Sequence, residues 1–184
     1  RLPTERETKY DVVCVLSGPE PQRSIFERIA VKQLRQSGLR YFVIRGVLNS
    51  SGKMNSLTDP NVVDFLSGEE LQTVIEESKC VVARSGYSTV MDLAKLGMKA
   101  ILVPTPGQTE QEYLAARLME RKIAYTMEQH RFDLTVAWKE SQHYTGFDCA
   151  EDPGNLMSEA MDHMLAVSSD WNNRRPSLIN PRLV

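Results

Sequence analysis

Apolar and polar positions follow two alternating periods along this chain. From Tyr10 to Leu16 the run YDVVCVL is apolar and rich in β-branched residues, the pattern of a strand buried on both faces. Pro19 and Pro21 interrupt it. From Arg23 to Ser37 the period lengthens, with Ile25, Ile29, Ala30 and Leu34 on one helical stripe and Gly38 as a stop. LRYFVIRG (39–46) predicts the next strand, NSSGKMNSLTDPN (49–61) a polar loop, and VVDFL (62–66) a short strand. Glu69–Ser78 predicts a helix with acids in its first turn, where the dipole favours them. CVVARSGYSTVMDLAKLGMKAILVP (80–104) reads as strand, turn, helix, turn, strand. A helix from about Thr109 to Arg121, a short strand IAYTM (123–127), and helices near 132–142 and 155–167 follow, with an irregular tail from Trp171.

Strand and helix thus alternate five or six times. This predicts a three-layer α/β/α Rossmann-like domain with a mostly parallel sheet, over residues 1–168, and an irregular tail over 169–184. In such sheets ligands bind outside the carboxyl ends of the strands, at a switch in strand order. Four loops occupy that position: SGPEPQR (17–23), FLSGEE (65–70), RSGYS (84–88) and PTPGQTEQE (104–112).

Composition narrows the picture. The 184 residues are 41% hydrophobic and 25% charged, an ordinary globular balance. A net charge of -2 gives no electrostatic reason to expect a nucleic acid as partner. Cys14, Cys80 and Cys149 have no CxxC spacing, which predicts a reducing, cytoplasmic setting without a disulfide framework. No apolar run approaches the ~20 residues that span a bilayer.

Several familiar motifs fail. GVLNSSGKM has one residue too many between Gly46 and Gly52 for a P-loop, and Met54 stands where a magnesium-binding hydroxyl belongs. There is no GxGxxG. Ala83 and Tyr87 replace both glycines of a nucleophile elbow around Ser85. His130, His143 and His163 lack metal-ligand spacing, and no metal or cofactor is expected.

The loops carry the chemistry instead. In RSGYST, Gly86 lets backbone approach a ligand, Ser88 or Thr89 suits a helix N-cap, and the free N–H groups of the first turn suit an anion. Asp92, one turn in, can accept two hydrogen bonds from a vicinal diol such as that of a ribose. Ser17 and Gly18 end the first strand, and Arg23 can reach a phosphate bidentately. Gln108, Gln111 and Glu112 open a helix with amides and a carboxylate fit for sugar hydroxyls. Alone, each loop also admits a plain role: a helix cap, a proline-stiffened turn with a solvated arginine, an acidic first turn. Three such loops on one sheet edge favour binding.

The stretch CVVARSGYSTVMDLAKLGMKAILVPTPGQTEQEYLAARL (80–118) resembles the C-terminal domain of glycosyltransferase family 28, the group that includes the peptidoglycan lipid-intermediate N-acetylglucosaminyltransferase. The pattern is a strand, R-[SA]-G-x-x-T-x-x-E, a strand ending in V-P and a Gln-rich helix start. The resemblance implies one half of a GT-B fold, the half that binds a nucleotide-sugar donor, with UDP as the expected nucleotide. It implies that Arg84, Ser85, Gly86, Tyr87, Ser88 and Thr89 form the phosphate turn and that Asp92 binds the ribose. It places Leu66 at the base, Gln111 and Glu112 at the sugar, and Ser17 and Gly18 near the pyrophosphate. The acceptor and the catalytic base would belong to an N-terminal domain outside this chain, whose first residue is Arg1, and the full protein would sit in the cytoplasm, at a membrane face if its acceptor is a lipid. No D-x-D occurs, in keeping with transfer without a metal. Three departures bar transfer of the peptidoglycan activity itself: Asp92 replaces a Glu, Gln111–Glu112 replaces paired Gln, and SGPEPQR replaces a Gly-rich GGSQG turn. A nucleotide-sugar hydrolase or epimerase of the same fold, and a non-catalytic nucleotide-binding module, are the alternative readings.

Overall fold

A computed structural model describes residues 8–47 and 59–148. The chain divides into two units, Arg1–Glu151 and Asp152–Val184. All described residues lie in the first. The expected helix at 155–167, the domain boundary at 168, Cys149, His163 and most of the 49–61 loop lie outside the described residues.

Six strands form one sheet: β1 (Tyr10–Val15), β2 (Tyr41–Ile44), β3 (Val62–Val63), β4 (Ser78–Ala83), β5 (Ala100–Leu102) and β6 (Tyr125–Thr126). Every pairing is parallel, in the order β3-β2-β1-β4-β5-β6. Five helices join them: α1 (Gln22–Gln36), α2 (Gly68–Glu76), α3 (Tyr87–Leu96), α4 (Thr109–Glu120) and α5 (Leu134–Ser141). The α/β expectation holds, and the predicted strands and helices within the described residues are present. Boundaries move: the strands expected at 62–66 and 123–127 shorten to Val62–Val63 and Tyr125–Thr126, and Ser78 opens β4 rather than closing α2, because its Oγ donates to Ile75 O and its backbone joins β1 at Tyr10.

Strand order explains the layers. The chain moves outward from β1 to β2 and β3, then returns across the sheet to β4 and continues to β6. With right-handed crossovers, the outward and returning helices fall on opposite faces. One face buries Val12, Cys14, Val43, Cys80, Val82 and Ile101 under Phe26, Ala30, Val31 and Leu34 of α1, with Leu134 and Ala137 of α5 in the same cluster. The intervening positions Val13, Val81, Ala83 and Leu102 are also buried, which is why the central strands read as unbroken apolar runs. A buried aliphatic side chain contributes on the order of 1.5–3 kcal/mol, so these strands make a rigid base for the loops above them. The order reverses between β1 and β4. The loops after those two strands therefore flank the crevice where such sheets bind ligands.

Candidate functional site

Four loops converge on this carboxyl edge. The first leaves β1 through Ser17, half-buried, and Gly18, exposed with φ +100°. That left-handed conformation favours glycine. Gly46, after β2, has φ +67°, and a Cβ there would lie 2.5 Å from Leu16 O. The backbones of the two loops thus touch, and only glycine permits it.

Beneath them lies a buried ionic cluster that the sequence did not suggest. Glu27, on α1, accepts from Arg45 Nε at 2.5 Å and from Arg23 Nη1 at 2.7 Å. Arg45 Nη1 also reaches Asp64 Oδ1 at 2.5 Å. Glu27 and Arg45 are both buried. Arg23, expected to reach a phosphate, is instead spent inside the protein. It donates to Glu20, Glu27, Ser24 Oγ and the carbonyl of Arg45. The available signal was a glutamate beside Phe26 on the apolar stripe of α1, and an arginine ending a strand.

The turn after β4 has two layers. Arg84 and Ser85 form the lower one, at 1% and 0% exposure. The Arg84 guanidinium donates to Val103 O (3.1 Å), Pro104 O (3.2 Å), Gln22 O (3.1 Å) and Gln129 Oε1 (2.6 Å), and stacks 4.6 Å from the Phe26 ring centroid. It ties the turn to the loops after β1 and β5 and to the short 3-10 turn Gln129–Arg131. Burial pushes its pKa down to about 10, so it is still charged at neutral pH. Ser85 Oγ donates to Gln111 O at 2.7 Å. Both residues support the turn from behind.

Gly86, Tyr87, Ser88 and Thr89 form the upper layer. The helix starts two or three residues earlier than a Ser88 or Thr89 cap would put it: Gly86 is the N-cap, with φ -72° and ψ 150°, and no side-chain hydrogen bond caps the helix. The Val90 N–H is the first to bond back, to Gly86 O. The preceding N–H groups have no intrahelical acceptor. Tyr87 and Ser88 are exposed, Thr89 is half-buried, and Asp92 is exposed one turn on. Asp92 makes no hydrogen bond or ion pair with the described residues.

The loop after β5 is self-bracing. Gln111 Oε1 accepts from Thr105 N at 2.9 Å, and its Nε2 donates to Gln108 Oε1. Glu112 Oε1 accepts from Gly107 N at 3.1 Å. Of the three residues expected at a sugar, Glu112 is exposed and Gln108 and Gln111 are half-buried. Nε2 of Gln111 would be 3.8 Å from a Cβ on Gly86. The loops after β4 and β5 are therefore adjacent. Thr105 Oγ1 is buried and unpartnered among the described residues, 3.6 Å from a Cβ built on Gly18.

Leu66 is half-buried beside Phe65, whose ring is 55% exposed. Ser67 follows as the N-cap of α2, its N–H and Oγ both donating to Glu70 Oε2. Among the described residues no group of His, Cys, Asp or Glu could hold a metal ion, and no helix is long and apolar enough to cross a membrane.

Comparison with known proteins points to one family. An uncharacterized glycosyltransferase of Methanosarcina acetivorans is 26% identical over 123 residues, covering 64% of this chain and 32% of that protein. A UDP-N-acetylglucosamine--N-acetylmuramyl-(pentapeptide) pyrophosphoryl-undecaprenol N-acetylglucosamine transferase of Sodalis glossinidius is 28% identical over 118 residues, covering 61% of this chain and 33% of that protein. The chain spans about a third of the length of these curated relatives. The crystal structure of Acinetobacter baumannii MurG superposes with a TM-score of 0.53 at 18% identity, over 87% of this chain and 48% of that one, a likeness of fold. The model of the glycosyltransferase family 28 C-terminal domain matches residues 12–141, from the middle of β1 to the end of α5. The chain therefore belongs to the glycosyltransferase family 28 C-terminal domain family, with the Rossmann-like half of a GT-B fold.

Proposed function

We propose that this domain binds the nucleotide-sugar donor of a glycosyltransferase at the carboxyl edge of its sheet. The observation that carries the proposal is the start of α3: a helix N-terminus at Gly86 without a side-chain cap, and one turn away the exposed carboxylate of Asp92, unbonded among the described residues. The N–H groups of Gly86–Thr89 meet the pyrophosphate, and the helix dipole favours it. Asp92 accepts two hydrogen bonds from the ribose diol. Gly18, across the switch point, allows close approach from the other side, beside Ser17. Leu66 offers backbone to the base. Gln108, Gln111 and Glu112 face the sugar, and Gln111 has a second amide N–H beyond the one given to Gln108. As the bond from the sugar to the diphosphate breaks, negative charge grows on the leaving oxygens, and preset N–H donors stabilise it at no cost of reorganisation.

Uracil is the expected base, since the named donor of the Sodalis relative is a UDP-sugar. The acceptor and the catalytic base belong to a second domain outside this chain, so the 184-residue chain binds donor without turning it over. The free, buried Cys14 and Cys80 suit a reducing cytoplasm.

Titration with UDP, UDP-sugars and adenine nucleotides tests the reading. Asp92→Asn keeps the size of the side chain and removes its charge. Hydrogen bonds to a charged group contribute about 1.5–3 kcal/mol each, so UDP should bind roughly ten- to a hundredfold more weakly. Inorganic pyrophosphate, which has no diol, should bind as before. Unchanged UDP affinity in the folded variant would reduce the turn to an ordinary helix start.

A further inference from the structure

Arg84 has more donors than a brace requires and, among the described residues, no opposite charge. Its four acceptors are three backbone carbonyls and a neutral amide. Its Nε is buried without a partner among the described residues. Among the described residues, the Cys14 thiol is an ionisable neighbour that acts on it through space. Burial pushes that thiol up to about 12, so it is neutral at physiological pH. The nearby carboxylates are committed elsewhere. Glu27 belongs to Arg23 and Arg45, and Asp64 to Arg45. Gln22 O, one of the four acceptors, lies on the first residue of α1, so the guanidinium sits at a second positive helix end. A buried cation is normally paired within the fold. Among the described residues this one has no carboxylate partner, two positions before the Gly86 N-cap of α3; its acceptor Pro104 O precedes Thr105, whose buried hydroxyl is also unpartnered among the described residues.

We infer that Arg84 is a built-in counter-charge for an anionic ligand at the Gly86–Thr89 turn, acting from behind the turn without touching the ligand. This deepens the donor reading above and rests on it. The substrate class it selects is a diphosphate ester rather than a neutral glycoside, because a neutral ligand would leave the guanidinium uncompensated. Charge in a low-dielectric interior acts over several ångströms with little screening, so contact is unnecessary. Arg84 is thus a positioning residue, distinct from the N–H groups that bind.

The test puts a carboxylate against the guanidinium and leaves the brace in place. Gln129→Glu keeps the acceptor that Arg84 uses, and the Gln22 amide can turn to donate to it in place of the lost Gln129 Nε2 bond. In the full chain, inorganic pyrophosphate should bind about tenfold more weakly, uridine should bind unchanged, and Tm should hold or rise. Gln22→Glu is the second variant, used if the first does not fold. Gln22 Oε1 already accepts from Gln129 Nε2, and an acid suits the first turn of α1. Its expected loss for pyrophosphate is about threefold, by the same electrostatic reasoning. If wild-type protein binds pyrophosphate and the folded variant binds it equally well, the counter-charge is overturned while the donor reading stands. Equal losses for pyrophosphate and uridine would show a structural role and overturn it as well. Failure of wild-type protein to bind pyrophosphate would remove the donor reading and this inference together.

Discussion

The two edges of the sheet hold similar residues and use them differently. At the amino edge, around the first residues of β1, β2 and β4, charges are matched near the surface. Asp11 binds Arg40 Nη2 at 3.0 Å and Lys79 Nζ at 2.8 Å, and also accepts the Arg40 backbone N–H. Lys9 meets Glu77 at 2.7 Å. The basic partners Lys9, Arg40 and Lys79 are all at least half exposed. At the carboxyl edge Asp92 and Glu112 are exposed, but Glu27, Arg45 and Arg84 are buried. These three each join segments distant in sequence, and Arg84 has no carboxylate partner among the described residues. Surface pairs trade one solvated partner for another and contribute little. Buried groups depend on their partners, so removing one is costly. The amino edge matches its charges with one another, and the carboxyl edge holds the Arg84 guanidinium without a carboxylate among the described residues.

This contrast sets the order of expected effects. Arg45→Met should be the most damaging, because Glu27 and Asp64 lose their shared partner and Glu27 is buried. A loss of about 3–5 kcal/mol in urea unfolding is expected. A loss below about 1 kcal/mol would mean that the buried cluster behaves like the amino edge and would erase the contrast. Gly46→Ala should come next. It adds a Cβ that would lie 2.5 Å from Leu16 O at a left-handed φ, for about 2 kcal/mol. Nucleotide affinity should weaken with it, because the loop after β1 must shift. Full stability in this variant would show that the loops above the sheet are not pinned.

Asp11→Asn should have the smallest effect, a Tm change of no more than about 3 °C at neutral pH. Its use is to sharpen the comparison through pH. The hydrogen bond from Arg40, with help from Lys79, holds the Asp11 carboxyl well below the ordinary value of 3.8. A depressed carboxylate stabilises the fold above the unfolded value and loses that contribution as pH falls through the folded one. The gap between wild type and Asp11→Asn should therefore be constant above about pH 5 and shrink toward pH 2. A gap that widened in acid would reverse the assigned sign. Nucleotide affinity should be untouched by this variant.

Fold and site were legible to different depths. The strands announced themselves because both faces of the central strands are buried, leaving no polar position in YDVVCVL beyond its first two residues. The RSGYST turn was legible because its position between strand and helix is a local property of the chain. The start of α3 lies two or three residues before the expected one: Ser88 and Thr89 have cap chemistry, but Gly86 takes the extended cap conformation and the helix begins at Tyr87. Arg23 looked free for a phosphate although Glu20 and Glu27 stand three and four positions away, where helix neighbours meet; only its bond to the Arg45 carbonyl, 22 positions on, needed the tertiary structure.

The sequence by itself determined what depends on neighbours along the chain. Hydrophobic period, proline and glycine placement and the strand–turn–helix motif suffice for a parallel α/β domain and for which loops lie at the carboxyl edge of its sheet. Tertiary structure decided what the long polar side chains do there. The acceptors of Arg84 lie 19, 20, 45 and 62 positions away, and Gln129 reaches Gln22 across 107. Those partners meet because the strand order reverses between β1 and β4, bringing the loops after β1, β4 and β5 to one place. A guanidinium can then be buried by carbonyls from several loops without meeting a carboxylate, because charge and hydrogen bonding are satisfied through space and not along the chain.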